Sequence, residues 1–116
     1  GSFLAAGNVC PEPYVLRSMR GEIEDNAEAM VADIEHSGFA LDRTNALKRT
    51  PRGYDVAPEY EYLLRQKELC LSYPLTSEWF AQSDWLEQTV QLFSRCKPFV
   101  ERVNRAIEYA YEEYRG

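Results

Sequence analysis

The last third of the chain spaces its apolar residues at intervals of three and four. Trp85, Leu86, Thr89, Val90, Phe93 and Cys96 are followed by Phe99, Val103, Ala106, Ile107, Ala110 and Tyr114. That spacing matches the 3.6-residue turn of an α-helix and gathers the apolar side chains into one stripe. A stripe of this length has to be laid on a core, which commits the chain to a helix-rich fold. Pro98 falls between the two runs. Proline lacks the amide hydrogen and its ring crowds the preceding turn, so it marks either the first residue of a new helix or a kink in a continuous one. Helices are expected over 84–96 and 98–113.

Nearer the N-terminus, Pro11 and Pro13 lead into a helix over 13–24 with Leu16, Met19, Arg20 and Ile23 on one side. Asp25 and Asn26 offer an N-cap for a helix over 26–36, where Ala27, Met30, Val31 and Ile34 recur at helical spacing. Gly38 suits the left-handed position past its end. Ala57-Pro58 opens a helix over 58–66, with Glu59 and Glu61 at its positive dipole end. Residues 68–73 alternate as a short strand that stops at Pro74. Gly1 to Gly7 reads as the end of another strand, unless Gly1-Ser2 is an expression scar. Thr76 and Ser83 are candidate N-caps. The fold class is therefore α+β, a mostly helical single domain over 1–116 with a short β element.

With 116 residues and 45% of them hydrophobic, one domain can bury about 65% of its unfolded surface. No apolar run approaches the ~20 residues of a membrane span, so a soluble, cytoplasmic protein is expected. The net charge of −6 argues against nucleic acid as a partner. The charge is uneven. From Arg43 to Lys67 six basic residues face three acidic ones, so that segment is +3 and the remainder −9. Cys10, Cys70 and Cys96 are odd in number and form no CxxC pair, which favours buried thiols in a reducing compartment over a disulfide or zinc. No glycine-rich phosphate loop, dinucleotide fingerprint or nucleophile elbow is present, so no cofactor is implied.

The basic segment holds the candidate site. Thr50-Pro51-Arg52-Gly53 reads as a β-turn with Pro51 second and Gly53 fourth. Lys48 to Thr50 should approach it extended, because a residue before proline is pushed out of the helical region. Lys48, Arg49 and Arg52 on this turn, with Arg65 and Lys67 at the end of the next helix, form a candidate site for a phosphate or carboxylate. The competing reading pairs these cations with some of the nineteen acidic side chains. Arg17 and Arg20 can join either arrangement, Arg20 the better placed beside an apolar face. His36, the one histidine, fits the negative end of its helix and solvent better than catalysis. Glu22, Glu24, Asp25 and Glu28, or Glu108, Glu112 and Glu113, have the spacing of solvated helix faces, and no metal site is assigned to them. Tyr54, Tyr60, Tyr62, Tyr73, Trp79, Phe80 and Trp85 are read as core.

Five blocks in order resemble the uncharacterised family catalogued as domain of unknown function 2461. They are Ser2 to Gly7, Leu16 to Ile23 (LRSMRGEI), Leu47 to Tyr54 (LKRTPRGY), Leu63 to Lys67 (LLRQK) and Lys97 to Val100 (KPFV). The resemblance implies a fold rather than a reaction. It also implies the C-terminal portion of a longer family domain, since the family's N-terminal aromatic helix with paired asparagines and its "RD.RFS.DK.PYK" stretch have no counterpart here.

Three functions follow as expectations. The leading one is a binding module whose basic turn engages a small anionic ligand or partner. The second is part of an enzyme whose acid–base residues lie in the missing N-terminal half, and the third is a structural half-domain. The expected macromolecular partner is that missing half or a second copy, with no membrane involved. The contact would use Phe99, Val103, Ile107 and Tyr111 if that stripe lacks an internal partner.

Overall fold

The computed structural model describes residues 2–8 and 11–115. The expectations for Gly1 and Cys10, and for the side chain of Tyr114, lie outside the described residues. Strand β1 (Ser2–Asn8) is followed by helix α1 (Pro13–Ser37) and the two-residue strand β2 (Ala40–Leu41). A 3₁₀ turn over Pro58–Tyr60 runs into α2 (Glu61–Arg65), then β3 (Leu69–Leu75), α3 (Ser77–Ala81), α4 (Trp85–Ser94) and α5 (Lys97–Arg115). The three strands form an antiparallel sheet in the order β1-β3-β2. The α+β, mostly helical class read from the sequence is the one observed.

Helices α1 and α5 pack against each other and on the sheet. Met19, Ile23 and Met30 of α1 meet Phe99 and Val103 of α5 in a core completed by Leu63, Leu64, Leu69 and Leu71. The α5 stripe therefore has an internal partner. Phe99 and Val103 are buried, which removes them from the contact surface proposed above, and only Tyr111 of that group is exposed. Pro98 lies in the first turn of α5, so it opens a new helix and does not kink an old one.

The two helices expected over 13–24 and 26–36 are one element with a break. Asn26 leaves helical geometry (φ −140°, ψ 37°), and its amide donates back to Glu22 Oε1 at 3.1 Å in place of capping the next turn. Gly38 closes α1 in the left-handed region at φ 73°.

Strand β3 does not stop at Pro74. It runs through to Leu75, with Phe3 opposite Pro74 and Ser2 opposite Leu75. Leu69, Cys70 and Leu71 are buried in succession, so both faces of the strand are covered there and strict alternation fails. Thr76 caps α3, a helix not expected from the sequence, by accepting from the Trp79 amide at 3.3 Å. Ser83 caps nothing, since Asp84 is the residue that precedes α4. Tyr54, Tyr60, Tyr62, Tyr73 and Trp79 pack against the core, whereas Phe80 and Trp85 are exposed. No helix among the described residues is long and apolar enough to cross a membrane.

Candidate functional site

The chain between β2 and α2 is irregular but held at several points. The Asp42 amide donates to Cys70 O at 2.8 Å, the Leu47 amide to Arg65 O at 2.7 Å and the Lys67 amide to Asn45 O at 3.1 Å. Ala46 and Gln66 form an antiparallel bridge, so the approach to the basic turn runs beside the end of α2. Further along, the Asp55 amide donates to Glu24 Oε2 of α1 at 2.6 Å. Asp42 also accepts from the Thr44 amide at 2.9 Å and its hydroxyl at 2.7 Å, and these bonds hold its carboxyl below the usual range.

The turn itself sits one residue later than expected. It is centred on Arg52 and Gly53, and Gly53 takes φ 95°, a positive value that glycine adopts without strain. Lys48 and Arg49 bend and do not run extended; the extended pairing comes earlier, at Ala46.

This backbone brings the two basic groups into one region. Lys48, Arg49, Arg52 and Lys67 are exposed, and Arg65 is half-buried with its Nη1 donating to Thr50 Oγ1 at 3.3 Å. Arg43 lies over the ring of Tyr62, 4.2 Å from its centroid, and is a cation of the loop that motif reading passed over. Arg20 reaches the same neighbourhood from α1. Its Nε donates to Leu64 O at 3.0 Å, and burial pulls its pKa down while the nearby Tyr54 opposes that. Arg17 does not join, since it lines a different cleft.

Ion pairs among the described residues fall elsewhere. They comprise Lys97 with Glu101 and Arg102 with Glu22 and Asp33, none of which involves the five candidate cations. Arg102 is the charged residue that sequence reading missed. It donates from Nη1 to Glu22 at 2.9 Å and from Nε to Asp33 at 2.8 Å, bridging both sides of the α1 break. The Asp33 bond, supported by Glu22, raises its pKa against the opposing effect of burial. Its signal was available: an arginine one residue before Val103 in the apolar stripe, facing a helix rich in carboxylates.

Two clefts beside α1 and α5 lie away from the basic loop. One of about 590 Å³ opens between α1 and α5 beside Gly21, Asp25 and Arg105. Another of about 470 Å³ adjoins it beside Tyr14 and Arg17. None of the five candidate cations lines either cleft. The exposed members of the basic group can meet an anionic group by charge and hydrogen bonding. His36 is exposed in the last turn of α1, and Cys70 and Cys96 are buried thiols whose pKa burial raises.

A family model described as "Conserved hypothetical protein (DUF2461)" matches residues 1–101. No curated protein and no solved structure matches the chain.

Proposed function

This chain belongs to the conserved hypothetical protein family DUF2461, and from that premise we propose that it is a binding module whose basic loop engages a small anion. The anion is a phosphate or carboxylate group on a metabolite or partner. One observation carries the reading. In an acidic chain, Lys48, Arg49, Arg52 and Lys67 are exposed and enter no ion pair among the described residues, on a loop tied down at both ends. A pinned backbone lowers the ordering cost of binding. The guanidinium fork of Arg49 or Arg52 suits two parallel bonds to a phosphate or carboxylate, and the lysines add point charge. We further read the chain as the C-terminal portion of the family domain, supported by the order of its five motif blocks.

The test is thermal unfolding at low ionic strength with inorganic phosphate or citrate, against chloride at matched ionic strength. Saturation at ten times the dissociation constant gives about 1.4 kcal/mol of stabilisation, a rise of several degrees. Arg52→Ala should remove most of that rise, and Lys97→Ala, on a different element, should leave it. Equal responses to chloride and phosphate would overturn the proposal.

A further inference from the structure

Two shielded arginines of this chain differ in what surrounds them. Arg102 is met by two carboxylates, Glu22 and Asp33. Arg20, half-buried on α1, enters no ion pair among the described residues. Its Nε donates to Leu64 O at 3.0 Å, and neither Nη donates to any described residue. Glu24, one turn further along α1, is spaced to pair with it, but Glu24 Oε2 accepts the Asp55 amide at 2.6 Å instead. A guanidinium taken partly out of water without a counter-charge is costly, and an anion removes that cost.

Arg20 also stands against the basic turn. Residues 50–55 are tied at one end by Arg65 Nη1 on Thr50 Oγ1 at 3.3 Å, and at the other by Glu24 on the Asp55 amide. Arg20 lies between those two ties. It bonds the carbonyl of Leu64, the neighbour of Arg65, and precedes Glu24 by one helical turn. Tyr54, two residues after Arg52, lies near enough to act on its charge.

We infer that Arg20 is the inner contact of the anion site and that the group bound there is a phosphate. This rests on the binding role proposed for the basic loop. The two Nη groups of Arg20 come from α1, while Lys48, Arg49 and Arg52 offer theirs from the loop. A carboxylate has two oxygens in one plane, which a single guanidinium fork fills. A phosphate group carries about −1.5 to −2 charge and three acceptor oxygens, so α1 and the loop can meet it together.

Thermal midpoints of the full chain over a range of inorganic phosphate, at matched ionic strength, test this. Wild type should rise several times more with phosphate than with acetate. Arg20→Met should raise the phosphate dissociation constant about tenfold. Arg20→Lys can serve Leu64 O or the phosphate but not both, and should raise it about threefold. Arg17→Met, an equal loss of charge on the same helix, should leave it unchanged. Each variant is compared with and without phosphate, because losing the Leu64 bond lowers the midpoint by itself. A purely structural Arg20 would keep the full phosphate rise in both variants. That result, with the rise still lost in Arg52→Ala, would overturn this inference and leave the binding role standing. Equal rises with acetate and phosphate would overturn the phosphate assignment. A wild type that responds to neither anion would remove the binding role, and this inference with it.

Discussion

Arg102 shows how much one side chain can carry between elements. It bonds Glu22 and Asp33, which lie on either side of the Asn26 break, so a single guanidinium spans the interrupted helix. All three side chains are largely shielded, at 16–22% exposure, and solvent screens the pair less than it would on open surface. Arg102→Met keeps much of the volume and removes the charge, leaving two carboxylates without their common partner. The expected loss is about 2–4 kcal/mol, read by urea unfolding, and Lys97→Met at its exposed pair should cost under ~0.5 kcal/mol. Spacing gave Arg102 no role, because its partners sit 69 and 80 residues away. Arg20 was more legible: its place near the apolar face of α1 anticipated a half-buried side chain, though not the Leu64 carbonyl it serves.

Element boundaries were set by pairings distant in sequence. Pro74 stays inside β3 because β2 pairs with that strand no further than Ser72, so at Pro74 the side toward β2 is open and no ladder amide is demanded of it. Strand β2 has two residues and no periodicity to detect; it exists because Ala40 and Leu41 meet Ser72 and Leu71. Gly7 marks the closest approach in the sheet. It takes φ 131° opposite Cys70, and a Cβ there would overlap the Leu69 carbonyl oxygen. Gly7→Ala should therefore part β1 from β3 at a cost of about 3 kcal/mol, seen as lost amide-exchange protection along 2–8 and 69–75. Protection of those amides equal to wild type would contradict this account of the edge. Gly21 is the natural control, since nothing lies within 4 Å of an added Cβ there.

At the scale of the molecule, stability rests on α1 laid against α5 over the sheet. Phe99 is fully buried at that junction, and Phe99→Ala should cost about 3–5 kcal/mol in urea unfolding. Leu86→Ala should cost under about 0.5 kcal/mol because its side chain already faces solvent. The amino-acid sequence by itself determined the helical stripes of α1, α4 and α5, the glycine stop at Gly38 and the cluster of cations between Arg43 and Lys67. Each of these is a local matter of period, backbone freedom or charge, complete within a few turns of chain. Tertiary structure alone decided which apolar stripe would be covered. The α5 and α4 stripes read alike in sequence, yet α1 buries Phe99 and Val103 while Leu86 and Val90 remain open. Periodicity says that a face is apolar; only the placement of a second element determines whether that face is core or surface.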